Sequence, residues 1–323
     1  MTFNQLIYKG SRPFGGFRLA KLMSRRHPKI LMYHRISSDP NAEGLTADQF
    51  RLQVDIIKRE FLPMTLRDLL SAHESREVPD NAVVVTFDDG YADFAEVAFP
   101  ILQAAGVPAT LFVTTGFVNG DIWLWPDQIR YAISHAGTEQ LTLPPFNQSF
   151  NVKVDPFESW NTIADHCLTT SNEEKLALID ELYKQLKVTK PVTAPDNFRA
   201  VSWKQIKQMI GDGLDIGSHS ISHPILTKLN DEQLSNELQR SRQKIEAETG
   251  MSVDVFCYPN GREVDFDQRV KECIHQCGYR YAVSAFPAKR PIDDNWCINR
   301  YPIGRRLDLF EKNLFGFSYL AMT

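Results

Sequence analysis

Short runs of almost wholly apolar residues recur along the chain, and amphipathic stretches separate them. Each run is too short for an ordinary helix and is rich in β-branched and aromatic residues, which predicts a strand buried on both faces. The strands predicted in this way are KILMYHRI, VVVTF, PATLFVT, the end of GLDIGSHS, VDVFC and YRYAVSAF.

The amphipathic stretches carry helix start and stop signals. Thr46 with Gln49, and Asn230 with Gln233, have the spacing of capping boxes, and Gly106 stands where a helix should end. Pro100 predicts a kink or a restart within the helix that follows Gly90. Buried strands that alternate with helices predict a parallel sheet covered by helices, either a barrel or a doubly wound sheet.

The alternation of strands and helices stops in the middle of the chain, where helical stretches such as SNEEKLALIDELYKQLKV flank a predicted hairpin. Tryptophans in this part could form a wall for a sugar, although core packing is the commoner use of such rings. We therefore expect one main domain that is interrupted by a mainly helical insertion. The expected segments are a basic lead at 1–29, the domain at 30–119 and 200–310, the insertion at 120–199 and a tail at 311–323.

Composition narrows the class of protein. The 323 residues carry a net charge of -4 and give a pI near 6.1, which argues against a nucleic acid partner. The five cysteines form no C-x-x-C pair, so we expect reduced thiols. No apolar run resembles a secretion signal or a membrane helix, which predicts a cytoplasmic protein. The basic lead is either a solvated arm or a peripheral contact with anionic lipid.

Polar residues follow four of the predicted strands. They are Asp88 and Asp89, then His219 and His223, then the segment YPNGR, and His34 after the first strand. In a parallel sheet these strand ends meet at one rim. One carboxylate with two histidines suits Zn²⁺ or another divalent first-row metal and leaves positions open for water and substrate.

Each of these signals has an ordinary alternative when it stands alone. Asp-Asp-Gly after a strand is most often a capping turn, His-x-x-x-His is most often an unrelated pair, and His34 could be a core histidine. The combination of Asp88–Asp89 with His219 and His223 at the ends of separate strands favours a metal site.

The motifs TFDDGY, HSISH and FCYPNG, in this order, resemble those of the polysaccharide deacetylases of carbohydrate esterase class 4, the NodB-homology domain. The resemblance covers about residues 30–118 and 200–304, and it implies an α/β fold, a distorted (β/α)7 barrel. It also implies that Asp88 is the catalytic base and that Asp89, His219 and His223 bind a divalent metal. Zn²⁺ is the first expectation for that metal, with Co²⁺, Ni²⁺ or Mn²⁺ as alternatives.

The sequence departs from the family pattern at two places. Cys257 and Asn260 stand where the family has the arginine and tyrosine of R-x-P-Y; the Asn260 N–H can still serve an oxyanion, and Arg300 is the candidate substitute for the arginine. The family's late L-x-H histidine, its general acid, is absent. A permuted branch resembling poly-N-acetylglucosamine deacetylases supplies it from an N-terminal strand, which makes His34 the candidate acid.

The resemblance therefore implies a metal-dependent hydrolase that removes N-acetyl groups from an N-acetylated polysaccharide or glycan. Two alternatives remain open. One is a deformylase or deacetylase of a lipid-linked or nucleotide-linked sugar, and the other is a catalytically degenerate carbohydrate-binding protein. The expected partners are N-acetylated glycans, glycolipids or oligosaccharides, and the sequence leaves the oligomeric state open.

Overall fold

The structure, a computed structural model, describes residues 15–40, 44–146 and 148–322. Lys9 and Arg12 of the basic lead lie outside the described residues. The strands are β1 Lys29–Tyr33, β2 Leu62–Met64, β3 Ala82–Phe87, β4 Thr110–Val113, β5 Gln140–Leu141, β6 Phe150–Asn151, β7 Asp215–Ser218, β8 Val255–Cys257, β9 Tyr281–Val283 and β10 Tyr301–Pro302.

The helices cover the sheet and fill the middle of the chain. The α-helices are α1 Gly16–Met23, α2 Ala47–Glu60, α3 Leu66–Glu74, α4 Phe99–Ala105, α5 Thr115–Asn119, α6 Trp125–Ser134, α7 Pro156–Cys167, α8 Asn172–Gln185, α9 Trp203–Gly211, α10 Asp231–Thr249, α11 Gln268–Gln276, α12 Leu307–Leu314 and α13 Phe317–Leu320. A π-helix, Phe94–Ala98, precedes α4, and short 3₁₀ turns occupy Asp196–Phe198, Leu226–Lys228 and Glu263–Asp265.

The main sheet is parallel throughout. Its strands follow the order β10-β1-β3-β4-β7-β8-β9, and β2 also pairs with β3. A parallel bridge joins Val283 of β9 to Ile298, just before β10, so the sheet curls until its two ends approach. This curled parallel sheet confirms the predicted α/β barrel with its covering helices.

The predicted helix signals are present. The capping boxes at Thr46 and Asn230 form with both of their hydrogen bonds. Pro100 lies in the first turn of α4, directly after the π-helix, where its missing N–H costs little. Gly213, which has a φ of 95°, ends the turn after α9.

Successive side chains of β3 point to opposite faces of the sheet, so every second side chain points into the barrel. Val83, Val85 and Phe87 pack in the outer layer under the helices, whereas Ala82 and Val84 join the inner cluster. Thr86 and Asp88 follow Val84 in steps of two residues, so they lie on the same inward face. The interior is tight: a Cβ on Gly217 of β7 would lie 2.4 Å from the ring of Phe112, so β7 has room only for glycine there. The side chains at the ends of these strands are thus aimed at one rim.

The middle of the chain has an apolar cluster of its own, which includes Trp123, Trp125, Leu141 and Ile179. The antiparallel pair β5–β6 forms the predicted hairpin. No pattern in the sequence had indicated α7.

The end of the chain packs into the main core. The expected boundary at residue 310 falls inside α12, and Phe310, Leu314 and Phe315 are buried in the same cluster as Phe17 of α1. Among the described residues, no helix is long and apolar enough to cross a lipid bilayer.

Candidate metal and catalytic site

Asp89, His219 and His223 come together at the carboxyl ends of β3 and β7. The Oδ1 atom of Asp89 lies 3.4 Å from the Nε2 atom of each histidine. The candidate ligand atoms all lie within 4.8 Å of one another, and all three side chains are buried. The structure thus brings together the three residues for which the sequence predicted a metal site.

The loop that carries the histidines is held in an unusual backbone conformation. Ser220 and His223 have positive φ values of 68° and 55°, and Asp89 has a φ of 74°. Non-glycine residues rarely adopt this region, and such strain clusters at functional sites. The loop is retained by hydrogen bonds: Ser220 Oγ accepts from the His223 N–H at 3.0 Å, and Glu237 accepts from the N–H groups of Ile221 and Ser222.

The hydrogen bond of the His219 ring directs its second nitrogen, Nε2, toward Asp89. The carbonyl of Cys257 can only accept, so His219 donates from Nδ1 at 2.8 Å and presents Nε2 to the carboxylate. Asp89 Oδ1 is buried and has no hydrogen-bond partner among the described residues. Acceptors that face one another in a buried space fit a cation, and this N/O donor set suits Zn²⁺ or a similar divalent metal.

The electrostatics of the site favour the ligating protonation states of Asp89 and His223. Burial opposes ionisation of Asp89, but the neighbouring imidazoles, His219 first, hold the pKa of its carboxyl well below its usual range. Burial lowers the pKa of His223 to about 3, against the opposing charge of Asp89. His223 is therefore neutral at pH 7, as a metal ligand must be.

Asp88 is separated from these ligands by its own partner. Arg300 Nη1 and Nη2 donate to Oδ1 and Oδ2 of Asp88, both at 2.7 Å, in a fully buried bidentate pair. The guanidinium is itself fixed, since it also donates to Ser284 O and Thr86 Oγ1. The sequence-based substitute for the missing arginine is thus placed directly against Asp88.

Cys257 occupies the position that the arginine of R-x-P-Y has in the family. Its Sγ atom lies 3.1 Å from Arg300 Nη2 and 3.5 Å from Asp88 Oδ2, so it contacts both members of the pair. Burial would raise the pKa of Asp88, but the adjacent Arg300 charge outweighs this effect and lowers it. Asp88 is therefore ionised throughout the neutral range.

Asn260 lies after β8 with a φ of 60°. Its side-chain Nδ2 is buried and has no partner, and within the described part of the chain its backbone N–H donates no hydrogen bond either. An unpaired donor of this kind at the rim can stabilise negative charge that develops on a bound substrate.

His34 follows β1 and, unlike the other site residues, is exposed. Ile30 of β1 packs in the inner cluster, and His34 follows it by two steps of two residues, on the same face. The charge of His34 contributes to lowering the pKa values of Asp88 and Asp89. Because Tyr33 pairs with Phe87 and accepts from the Asp88 N–H, the structure places His34 at the adjoining ends of β1 and β3, in contact with solvent.

Two supporting residues carry no motif that would have identified them. Glu237 lies in the middle of α10, among other charged residues, and its role in fixing the histidine loop depends on tertiary contact. Asp127 accepts from Tyr91 Oη at 2.6 Å, and burial raises the pKa of its carboxyl to about 6. No spacing in the sequence links Asp127 to the TFDDGY motif.

Comparison with known proteins identifies the family of this architecture. The sequence profile of the polysaccharide deacetylase family matches residues 75–140 and 163–282, more than half of the chain. These ranges contain Asp88, Asp89, His219, His223 and Asn260, whereas His34 and Arg300 lie outside them.

Curated relatives are similar at two levels. YxkH of Bacillus subtilis (strain 168), which carries the name of a polysaccharide deacetylase, is 21% identical over 260 residues, which make up 80% of this chain and 64% of YxkH. The poly-β-1,6-N-acetyl-D-glucosamine N-deacetylase of Escherichia coli (strain K12) is 35% identical over 80 residues. That match spans 21% of this chain and 12% of the Escherichia coli protein.

Solved structures share the fold. The deacetylase PplD of Streptococcus pyogenes aligns with a TM-score of 0.59 at 19% identity, over 88% of this chain and 95% of PplD. IcaB from Ammonifex degensii aligns with a TM-score of 0.57 at 18% identity, over 90% of this chain and 96% of IcaB. At these identities the likeness supports the barrel alone, and it agrees with the barrel predicted from the motifs.

Proposed function

The chain belongs to the polysaccharide deacetylase family, and we propose that it hydrolyses the N-acetyl groups of an N-acetylated glycan. One observation carries the proposal: the two carboxylates that end β3 have different partners. Asp89 faces two histidines in a buried cation site, and Asp88 is held in its ionised form by Arg300. Metal-assisted hydrolysis of an amide uses this combination of a metal and a separate base.

The proposed mechanism assigns the attacking water to Asp88. A divalent cation, Zn²⁺ in this proposal, when held by Asp89, His219 and His223, would acidify water and polarise the acetamide carbonyl. Asp88 accepts the proton of the attacking water, and Arg300 fixes the orientation of its carboxylate. General base catalysis of this kind contributes roughly 10²- to 10⁴-fold.

The remaining steps belong to Asn260 and His34. The backbone N–H of Asn260 donates to the oxyanion of the tetrahedral intermediate, a contact whose loss typically costs about 3 to 4 kcal/mol. His34 donates a proton to the departing amine, so the C–N bond breaks with a neutral amino sugar as the leaving group. Acetate is the second product.

The alternative of a degenerate carbohydrate-binding protein is disfavoured by the base. The R-x-P-Y arginine is absent, yet the guanidinium of Arg300, directly before β10, binds both carboxylate oxygens of Asp88. A protein that only bound sugar would have no need of a buried, ionised carboxylate beside a cation site. A lipid-linked or nucleotide-linked N-acetyl or N-formyl sugar stays open as the substrate.

We further propose that α1 touches an anionic membrane surface. The outward face of this helix consists of Leu19, Leu22 and Met23, each more than half exposed, between the exposed cations Arg18 and Arg26. An apolar face flanked by arginines that have no ion pair among the described residues complements a bilayer of anionic lipid. The predicted cytoplasmic location fits the five unpaired cysteines, which are typical of a reducing compartment.

Release of acetate tests the proposed function. The protein would be loaded with Zn²⁺, Co²⁺, Ni²⁺ or Mn²⁺ and incubated with a panel of N-acetylated and N-formylated glycans and glycolipids, with the released acid measured. We expect acetate from at least one N-acetylated member and none from protein treated with a chelator. Formate alone would favour the deformylase, and no acid with any metal would favour the binding protein.

A further inference from the structure

Lys175 carries an ammonium group that the fold buries without an acceptor. It lies in α8, the residue is only 2% exposed, and within the described ranges its ammonium group has no hydrogen bond and no ion pair. Burial lowers the pKa of this amine to about 8, against smaller opposing effects of Cys167 and Glu237, so the group is mostly protonated at neutral pH. An unpaired buried charge is costly and calls for a partner.

Trp125, which lies beside this ammonium, supplies a second donor without an acceptor among the described residues. Lys175 Nζ lies 5.1 Å from the ring centroid of Trp125, a cation–π contact that offsets part of the cost of burial. The Nε1–H of Trp125 is buried and also lacks an acceptor among the described residues. In the same part of the chain the amide oxygen of Gln128, one turn further along α6, has no partner, so it accepts from neither donor. The two donors together fit an anion.

Contacts of neighbouring residues link the helix that carries Trp125 to the region of the metal-ligand loop. Tyr91, which follows Gly90 in the β3 turn, donates to Asp127 at 2.6 Å and so ties the start of α6 to the site. The Gly116 N–H donates to Ile221 O at 2.9 Å, which fixes α5 on the histidine loop. The charge of Lys175 also contributes to lowering the pKa of His223, as expected of neighbouring groups.

Glu237, the carboxylate whose charge acts on Lys175, is already occupied by other donors. Glu237 accepts hydrogen bonds from the N–H groups of Ile221 and Ser222 and from Ser222 Oγ, at 2.6 to 3.0 Å. These bonds hold Glu237 against the loop, so it does not pair with Lys175. The positive charge therefore remains available to a ligand that enters the site.

We propose that Lys175, with the Nε1–H of Trp125 beside it, binds an anionic group of the N-acetylated substrate. The group is a carboxylate or a phosphate on the sugar, since both accept charge-assisted hydrogen bonds from an ammonium. The inference rests on the proposed function and narrows it: the preferred substrate is an acidic N-acetylated sugar, whereas a neutral homopolymer would leave the ammonium unpaired.

Binding to metal-free protein tests the subsite without turnover. Calorimetric titrations would compare neutral N-acetylglucosamine with N-acetylmuramic acid, which carries a carboxylate, and with N-acetylglucosamine 6-phosphate. We expect at least one acidic sugar to bind ~10-fold or more tightly than the neutral sugar. Whichever acidic sugar binds more tightly, the carboxylate or the phosphate, identifies the anion that the subsite prefers. Equal affinity for all three sugars would overturn the proposal.

Lys175→Met separates ligand binding from a structural role. The variant should lose the preference for the acidic sugar, and its melting temperature should equal or exceed that of the wild type because an unpaired buried charge is removed. Lys190→Met is the matched control, since Lys190 lies 5.7 Å from the Tyr183 ring but is paired with Asp180. The control should keep the preference. A Lys175→Met protein that keeps the preference would contradict the subsite.

The test also distinguishes the subsite from the proposed function. Acetate release by the metal-loaded wild type from neutral and acidic N-acetylated sugars is measured separately. A preference for the acidic sugar in binding with no acetate from any sugar would reject the deacetylase and keep the anion subsite. Acetate release with equal affinities would keep the deacetylase and reject the subsite.

Discussion

Arg300 binds both carboxylate oxygens of Asp88 across 212 residues of sequence, with two hydrogen bonds of 2.7 Å. The arginine lies between β9 and β10, on the strand segment that brings the two ends of the sheet together. The thiol of Cys257 lies beside the pair, at the position where the family motif has its arginine. The charge that accompanies the proposed base thus comes from the segment directly before β10.

Asp88→Asn should abolish turnover without removing the metal. The amide cannot accept the proton of water, so kcat should fall by roughly 10²- to 10⁴-fold while the metal content stays at the wild-type level. The free energy of unfolding should also fall, by about 3 kcal/mol, because Arg300 loses its buried counter-charge.

Asp93→Asn is the control for this variant. Asp93 also pairs with an arginine, Arg35, at 2.7 Å, but it contacts none of the proposed ligands. Its replacement should leave kcat within a few-fold of the wild type. Wild-type acetate release by Asp88→Asn would remove Asp88 from its assigned role.

Arg300→Met should move the acid limb of the pH–rate profile to higher pH. Arg300 lowers the pKa of Asp88 against burial, so without it burial raises the pKa, and the base is protonated over a wider range. Arg300→Lys keeps the charge but loses the bidentate geometry, and its acid limb should lie between those of Arg300→Met and the wild type. An unshifted limb in both variants would show that Arg300 does not act through Asp88.

The same pair predicts how stability changes with pH. The folded-state pKa of Asp88 is depressed, so its contribution to stability is present above the unfolded pKa, near about 4, and is lost as the pH falls through the lower folded value. In Arg300→Met the folded pKa is raised instead, and stability should decline as the pH rises above about 4. Chemical denaturation across pH 3 to 8, a range of about five units, would measure the opposite slopes.

Substitutions should weaken metal affinity more when the replaced residue contacts the ion directly than when it acts through the loop. Glu237→Gln weakens the hold on the histidine loop and should reduce metal affinity by roughly 10- to 100-fold. Asp89→Asn removes a charged ligand and should cost more. The exposed His135→Ala should cost nothing. Competition with a chromogenic chelator gives the three affinities, and the same affinity for Asp89→Asn as for the wild type would reject the ligand assignment.

His34→Gln should separate amide from ester hydrolysis. An amine must be protonated to leave, whereas 4-nitrophenolate leaves without help, so the variant should lose roughly 10²-fold or more on an N-acetylated sugar but little on 4-nitrophenyl acetate. Equal losses on the two substrates would indicate that His34 positions the substrate and is not the acid. The exposed His135→Gln serves as the control.

Removing the apolar face of α1 should weaken membrane binding. The double variant Leu19→Glu and Leu22→Glu should bind vesicles of phosphatidylglycerol and phosphatidylcholine less than the wild type in co-sedimentation, and salt should weaken wild-type binding. Leu176→Glu, at an exposed leucine of α8, is the control. Equal binding of the wild type and the double variant would reject the proposed surface.

The sequence by itself determined most of the elements and the residues of the candidate metal site. Apolar strands and capping boxes are local signals, so they predicted the parallel sheet and most of its helices. The candidate metal cluster also followed, because Asp89 and the loop with His219 and His223 come after recognisable strands, and parallel strands end at one rim.

Only the tertiary structure decided which side chains support that site. Arg300 could be suggested as a substitute from its neighbours in sequence, but its two bonds to Asp88 depend on the curl that brings the end of the chain beside β1. Glu237 and Lys175 lie on helices whose patterns show only a charged face. Their roles come from what packs opposite them, and the order of residues along a helix does not encode that partner.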